Sequence, residues 1–407
     1  MPAIPLRARL AGIVVVGVLL VHLSLVKLSP DSTYAKKTSF ASLRGSAGGD
    51  DKKEVQEMYE APDGPSAAQS GTNTTRAKAA FVVLARNSDL WSIMESIRFM
   101  EDRFNRKYNY PYVFLNDQPF DETFKKMTSG IISGKVEYGL IPQNQWSKHP
   151  SWIDEDKAKD AREAMAKNNV IYGDSVPYRE MCRYQSGFFF RHPLLDPYEW
   201  YWRIEPNVKY FCDLDYDPFL YMQERGLKYG FTISIYEYIE TIPTLWDTVK
   251  DFIREFPDLV PERNAMTFLS EDGGETYNRC HFWSNFEIGS LSLWRSEAYL
   301  KFFEYLDRAG GFYYERWGDA PVHSIAAALF LPFEDIHYFY DIAYRHEPFA
   351  HCPKGEVHEN RCYCDPGETF NDHWYSCTPR FLAEKSIAAK TSTQSTKKSV
   401  FDVSAQR

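Results

Sequence analysis

One stretch of this chain constrains its fold more than any other, an aromatic run that stops at a Glu-Pro-Asn tripeptide. The run from Tyr198 to Ile204 alternates aromatic and apolar residues, which is the composition of a buried β-strand. It stops at Glu205-Pro206-Asn207 because a proline cannot donate a hydrogen bond to a neighbouring strand. The strand therefore presents a carboxylate and an amide at its carboxyl edge, where open α/β sheets bind ligands.

The residue types at this edge suit a hard divalent cation. An acidic residue, one spacer and a second oxygen ligand can hold Mg²⁺ or Mn²⁺ beside a diphosphate. The tripeptide alone also fits an ordinary turn after a strand, so the choice between these interpretations depends on other parts of the chain.

Strand and helix patterns alternate on both sides of this stretch. The apolar run Ala79 to Ala85 is typical of a buried parallel strand, and Arg86 and Asn87 follow it in front of a capped helix over 90–100. No glycine-rich phosphate loop is present, which excludes Walker-type and Rossmann sites. Further strands are predicted over 112–116, 135–141, 229–236, 281–289 and 335–344, and further helices over 155–168, 175–190, 241–256, 296–308 and from Asp319 onward. This alternation predicts an α/β sandwich on a mixed central sheet.

The N-terminal segment predicts a membrane anchor. Leu10 to Val26 is a mostly apolar run that follows Arg7 and Arg9, and no cleavage site of small residues comes soon after it. An uncleaved anchor is therefore favoured over a signal peptide, with the body of the chain in the lumen. The predicted organisation is a cytoplasmic tail (1–9), an anchor (10–26), a flexible stem (27–76) with a glycosylation acceptor at Asn73, a folded domain (77–382) and a disordered tail (383–407).

Charge and composition narrow the range of partners. The net charge is −9, and no block of basic residues lies in the folded part, so nucleic acids are not expected to bind. Aromatic residues make up 16% of the chain, which suits sugars with apolar CH faces, although rings also fill cores.

The cysteines predict a disulfide-stapled C-terminal segment. Most of them should be paired in a lumenal protein, but the pairing does not follow from sequence. Cys362-Tyr-Cys364 lacks the two-residue spacing of a zinc knuckle, so staples are favoured over zinc. The seven cysteines are Cys182, Cys212, Cys280, Cys352, Cys362, Cys364 and Cys377.

Polar residues that end or interrupt apolar runs are the candidates for chemistry. Each also has a structural explanation: a salt bridge from Glu287 to Arg203 or Arg295, a helix cap at Asp319, or a core histidine. The candidates are Glu205 with Asn207, Glu287, Asp319 with His323, and His346.

Five sequence blocks carry a family resemblance. They are spread over about residues 77–380 and are Tyr110–Asp117, Val176–Phe188, Tyr201–Val208, Asn285–Gly289 and Asp307–His323. In these blocks the chain resembles the fungal α-1,2-mannosyltransferases of glycosyltransferase family 15, and the anchor and stem match as well. The resemblance implies a GT-A-like fold, GDP-mannose as donor, Mn²⁺ as cofactor, and a Golgi membrane protein of type II orientation. It also implies retaining transfer of mannose to a mannosylated glycoprotein or glycolipid.

The resemblance also implies roles for individual residues. Glu205 and His346 would bind the metal, and Glu287 would be the carboxylate beneath the anomeric carbon. The neutral Asn207 is not expected to contribute much to binding the ion. The implied donor-binding residues are Arg86, Asn87 and Asp319, and the implied acceptor-binding residues are Tyr178 and Tyr184. A covalent intermediate and a same-face displacement both stay open.

Two other functions compete with this one. A lumenal glycoside hydrolase would also use paired carboxylates and aromatic rings, but it would need neither a nucleotide nor a metal. A non-catalytic mannose-binding relative would bind sugar without turnover.

Overall fold

Twelve short strands and nine helices of seven or more residues organise the part of the chain that the computed structural model describes, residues 76–404. The strands are β1 (Ala79–Leu84), β2 (Tyr112–Asn116), β3 (Val136–Leu140), β4 (Trp200–Ile204), β5 (Lys209–Tyr210), β6 (Tyr229–Phe231), β7 (Ser234–Tyr236), β8 (Cys280–Phe282), β9 (Ile288–Ser290), β10 (Ile336–Tyr338), β11 (Tyr344–His346) and β12 (Phe349–His351). The helices are α1 (Leu90–Met100), α2 (Glu122–Ile131), α3 (Glu155–Lys167), α4 (Val176–Gly187), α5 (Pro218–Glu224), α6 (Leu245–Glu255), α7 (Glu297–Ala309), α8 (Asp319–Phe330) and α9 (Thr378–Ser404).

The central sheet is mixed, as predicted. Its strand order is β10-β6-β9-β4-β1-β2-β3, and β4, β1, β2 and β3 run parallel to one another. Strand β9 is antiparallel to both of its neighbours, β4 and β6. The aromatic run is the central strand β4, and all five of its residues are buried. Its position explains why its carboxyl end lies in the middle of the sheet edge.

Three predicted strands are divided in the structure. The run 229–236 gives β6 in the central sheet and β7 in a separate ribbon with β8, because the chain turns at Thr232 and Ile233. The run 281–289 gives β8 and β9, and the run 335–344 gives β10 and the start of β11. Alternation cannot show where a chain changes sheet when the segments on both sides of the turn are buried.

Three disulfides join the later part of the chain. They are Cys212–Cys362, Cys280–Cys377 and Cys352–Cys364, and Cys182 is free and buried. Cys352, His358 and Cys364 lie close together, but the two sulfur atoms are bonded to each other and offer no thiolate pair. The predicted stapled C-terminal segment is therefore confirmed.

Helix α9 occupies most of the segment predicted to be a disordered tail, 383–407. It continues to Ser404. Its first turns are anchored because Phe381 is buried and the Lys385 ammonium donates to the carbonyl of Ile336 at 2.5 Å. Sequence composition does not show that a polar helix is held at one end in this way.

The predicted tail 1–9, anchor 10–26 and glycosylation acceptor Asn73 lie outside the described residues, as does the stem up to residue 75. Within residues 76–404, no helix combines the length and the apolar character needed to cross a membrane.

The buried imidazole of His351 links stability to pH. Its Nε2 lies 2.6 Å from the Tyr340 carbonyl, and Asn371 donates to its Nδ1 at 3.0 Å. Burial lowers the pKa of His351 from 6.5 to about 4. The imidazole therefore binds a proton more weakly in the folded state than in the unfolded chain. This contribution to stability is complete above pH 6.5 and is lost as the pH falls toward 4.

We expect the free energy of unfolding to depend less on pH when His351 is replaced. Between pH 7 and pH 5 the wild-type chain should lose about 2 kcal/mol more than His351→Gln, as the two pKa values require. Urea unfolding at the two pH values measures this difference. An equal pH dependence in both proteins would contradict the assignment.

Candidate active site

The carboxyl end of β4 carries a buried arginine between two carboxylates. The Arg203 guanidinium donates from Nε to Glu205 Oε1 at 2.9 Å and from Nη1 to Asp319 Oδ2 at 2.5 Å, and Nη2 also contacts Glu205 Oε1. Only 6% of the Arg203 side chain is exposed, whereas 23% of the Glu205 side chain is. The ion pairs therefore fix one oxygen of Glu205 and leave the other directed away from Arg203.

That second oxygen faces His346, which is 141 positions later in the chain. Glu205 Oε2 and His346 Nε2 are 3.7 Å apart, and both side chains are partly exposed. His346 reaches this position from β11, whose neighbour β5 directly follows the Glu-Pro-Asn turn. The structure thus brings together the two residues predicted to bind a metal.

Asn207 shapes the turn that follows β4. It has a φ of 64°, in the left-handed region that asparagine tolerates, and it is exposed. Its amide donates to the Ser92 carbonyl, and the next amide, of Val208, donates to Ser96 Oγ at 3.0 Å. These contacts attach the turn to helix α1.

Asp319 is a buried partner of Arg203 and not a helix cap. Gly318 occupies the N-cap position, and Asp319 is the first residue of α8. Ser284 Oγ donates to Asp319 Oδ2 at 2.8 Å. Burial alone would raise the pKa of Asp319, but Arg203, His323 and Ser284 together hold it below its ordinary value. A charged carboxylate here supports Arg203, and the contact of Asp319 with a donor stays a prediction.

Glu287 lies inside the protein, directly before β9. Its Oε2 accepts from the Tyr201 hydroxyl at 2.7 Å, and its Oε1 accepts from the Tyr229 hydroxyl at 3.0 Å. His323 Nδ1 lies 2.8 Å from the same Oε1, and only 1% of the Glu287 side chain is exposed. The predicted salt bridge to Arg203 or Arg295 is therefore absent as a direct contact, since tyrosines and a histidine take its place.

His323 bridges Glu287 and helix α4. Its Nε2 lies 3.1 Å from the Gln185 carbonyl, so both ring nitrogens face oxygen atoms that accept hydrogen bonds. The ring is fully buried and stacks on Trp294 at 4.3 Å.

Arg86 and Asn87 follow β1, as predicted, at the same edge of the sheet. Arg86 is exposed, whereas the Asn87 amide donates to the Pro119 carbonyl at 3.0 Å and accepts from the Asp121 amide. Burial raises the pKa of Glu180 on α4, and Asp117 raises it further while Arg86 opposes this. Arg86, Asp117 and Glu180 therefore form a charged group beside the end of β2.

The two predicted acceptor residues on α4 differ in exposure. Tyr178 is partly exposed and stacks on Tyr172 with ring centres 4.5 Å apart. Tyr184 is fully buried against Trp146, and its hydroxyl has no partner among the described residues. Tyr178 is therefore the more accessible of the two, and a contact of either tyrosine with an acceptor stays a prediction.

The residues at the end of β4 fit a divalent cation. Two ligands at about 2.1 Å from one ion lie about 3 to 4 Å apart, and Glu205 Oε2 and His346 Nε2 meet that condition. A carboxylate oxygen and an imidazole nitrogen suit Mn²⁺, and a diphosphate or water would complete the shell.

A family described as glycolipid 2-alpha-mannosyltransferase matches residues 36–386 of the chain. The chain belongs to this family. The family is glycosyltransferase family 15, so the resemblance inferred from the five sequence blocks is confirmed.

Two fungal mannosyltransferases are among the proteins that this chain is similar to. Glycolipid 2-alpha-mannosyltransferase 2 of Candida albicans is 55% identical over 314 residues, which are 77% of this chain and 68% of that protein. Alpha-1,2 mannosyltransferase KTR1 of Saccharomyces cerevisiae is 56% identical over 308 residues, 75% of this chain and 78% of that protein.

Solved structures of the family have the same mixed α/β fold. Core-mannan synthase A of Aspergillus fumigatus, crystallised in an Mn/GDP form, is 39% identical with a TM-score of 0.73, over 77% of this chain and 87% of that one. The Ktr4p mannosyltransferase of Saccharomyces cerevisiae, in complex with GDP, is 38% identical with the same TM-score of 0.73, over 76% of this chain and 82% of that one.

Two residues of this glycosyltransferase site were missed in the sequence. Arg316 is buried, with its guanidinium 5.2 Å above the Tyr178 ring and 3.6 Å from Glu237. Arg203 was considered only as a partner for Glu287. Both arginines lie inside or beside an apolar run of the sequence. This position indicates a buried charge, and a buried charge requires a partner.

Proposed function

We propose that this chain is a Mn²⁺-dependent, retaining α-1,2-mannosyltransferase. It moves mannose from GDP-mannose to a terminal α-mannosyl group of an N- or O-linked glycan or a glycolipid. The observation that carries the proposal is the approach of Glu205 to His346, which makes a two-residue ion site at the sheet edge. The names of the family members and the GDP-bound state of two related structures support it.

The side chains at the sheet edge position the donor. Glu205 and His346 would hold the ion, and Arg203 keeps the Glu205 carboxylate oriented through its contacts with Oε1. Mn²⁺ bound by these residues would supply Lewis-acid stabilisation of the charge on the departing diphosphate. Arg86, which is exposed beside β1, contributes a further positive charge on the nucleotide side.

Glu287 acts as a fixed negative charge beneath the transferred sugar. Its carboxylate is buried and accepts from two hydroxyl groups and one imidazole, so its lone pairs are largely engaged. Such a group stabilises positive charge that develops at the anomeric carbon. This arrangement favours a same-face displacement over attack by Glu287 itself.

The N-terminal residues place this activity at a membrane. Residues 10–26 anchor the chain in the Golgi membrane, with 1–9 in the cytoplasm and the stem 27–76 leading to a lumenal, GT-A-like catalytic domain over 77–382. The apolar run and the positive charges before it support this orientation.

The proposal predicts mannose transfer that depends on the metal. The full-length chain in detergent should convert GDP-mannose and methyl α-mannoside into the α-1,2-linked disaccharide with Mn²⁺ and not with a chelator. Nuclear magnetic resonance of the product identifies the linkage and the anomer. Absence of a metal-dependent product contradicts the proposal.

A second measurement separates the competing functions. GDP together with Mn²⁺ should raise the melting temperature of the wild-type chain, because a bound ligand stabilises the folded state. A glycoside hydrolase would show no such shift. A non-catalytic mannose-binding relative would show sugar binding without product.

A further inference from the structure

A continuous series of aromatic rings leads away from the proposed ion site. We call it the aromatic rim and define it as Trp283, Phe349, Phe370, His373, Trp374 and Tyr375. Trp283 lies 5.0 Å from the His346 ring, measured between ring centres. Successive centres along the rim are then separated by 5.7, 4.1, 5.6, 5.5 and 5.2 Å.

The outer part of the rim faces solvent. Trp374 is 80% exposed, and Tyr238, which lies beside the far end, is 54% exposed. Phe370 underneath is 5% exposed and fixes the outer rings to the core. Exposed large aromatic side chains that lie close together are typical of surfaces that bind a ligand or a partner.

The far end of the rim returns to the proposed active site. Tyr375 packs against Tyr236 at 5.6 Å between ring centres. Glu237 directly follows Tyr236 in the chain, and its carboxylate, after burial and Tyr238, is among the causes that raise the pKa of the Tyr375 hydroxyl.

Glu237 connects this end of the rim to the predicted acceptor residue. It is 3.6 Å from Arg316, whose guanidinium lies over the Tyr178 ring. The rim therefore begins at the ion ligand His346 and ends beside the group that contains Tyr178. A sugar chain extending from an acceptor held at Tyr178 would have these rings within reach.

We propose that the aromatic rim binds the second, non-reacting mannose of an oligomannoside acceptor. This inference rests on the proposed function and specifies its substrate class. The apolar CH face of a hexose packs on an aromatic ring, while its hydroxyl groups stay in water or bond to polar neighbours.

The test compares two acceptors that differ by one mannose. The full-length chain is assayed with GDP-mannose, Mn²⁺ and either methyl α-mannoside or the methyl glycoside of α-1,2-mannobiose. We expect a KM about tenfold lower for the disaccharide, because a second sugar face is buried. Trp374→Ala should raise the disaccharide KM about tenfold, and it should leave kcat and the monosaccharide KM unchanged.

Two further variants make the result specific. Trp374→Phe retains a ring and should restore most of the preference for the disaccharide. Tyr363 is 53% exposed, similar to Tyr238, but it packs edge-to-face against Phe211 outside the rim. Tyr363→Ala should therefore change neither KM.

The possible outcomes distinguish failure of the rim proposal from failure of the proposed mannosyltransferase function. Normal transfer with equal KM values for the two acceptors, or an equal effect of Trp374→Ala on both, overturns the rim proposal alone. A change in oligomeric state without a change in KM also overturns it, in favour of a second copy of the chain as occupant. Absence of any transfer to methyl α-mannoside by the wild-type chain contradicts the proposed function instead.

Discussion

Replacing Glu205 by glutamine is expected to abolish mannose transfer and to weaken Mn²⁺-dependent binding of GDP at least about 100-fold. The substitution keeps the shape of the side chain but removes the negative charge that faces His346 Nε2 at 3.7 Å. A metal that neutralises a diphosphate is worth several kcal/mol, so loss of its carboxylate ligand should cost most of that. Calorimetric titration of GDP with and without Mn²⁺ measures the effect.

The same strand offers a matched control. Glu199 directly precedes β4, at the opposite end from Glu205, and forms an exposed ion pair with Lys78. Glu199→Gln should leave both GDP affinity and transfer close to wild type, since exposed ion pairs contribute little. If Glu205→Gln kept the wild-type affinity for GDP in Mn²⁺, Glu205 would not be a metal ligand.

Glu287→Gln is expected to eliminate transfer and to lower the free energy of unfolding by about 3 kcal/mol. The Glu287 carboxylate has three hydrogen-bond partners, the hydroxyl groups of two tyrosines and the imidazole of a histidine. The glutamine side chain replaces one of the two accepting oxygens with an NH₂ group, so at least one of these partners loses its acceptor. The melting temperature should fall by several degrees. Binding of GDP should persist below that temperature, because Arg203 still holds Glu205.

A substitution at a second buried carboxylate, Asp307, serves as a control that distinguishes loss of stability from loss of catalysis. Asp307 pairs with Arg183 at 2.6 Å, and both side chains are buried. Asp307→Asn should destabilise the chain to a similar extent and retain transfer at low temperature. If a folded Glu287→Gln protein transferred mannose at the wild-type rate, Glu287 would have only a structural role.

The sequence predicted the elements that hold the site because their signals are local. Strand β4, the Glu-Pro-Asn turn and helix α7 with its Ser296 cap all follow from side-chain pattern and capping chemistry. The residues 229–236 were assigned to one strand because alternation continues through the turn between β6 and β7.

The partners of the buried charges were beyond sequence reasoning. Arg203 meets Asp319 across 116 positions of chain, and His323 meets Gln185 across 138. Such pairs depend on how the helices dock on the sheet. For Tyr184, the sequence predicted the helix but not that the side chain is buried in the core.

The central claim is that Glu205 and His346 share one ion in a single cleft. Electron–nuclear double resonance of Mn²⁺ in the GDP complex of the full-length chain, labelled with ¹⁵N-histidine, tests it most directly. We predict one histidine nitrogen coupled to the manganese, and we predict that His346→Gln removes this coupling. Absence of a histidine coupling in the wild-type chain, or its survival in His346→Gln, would contradict the claim.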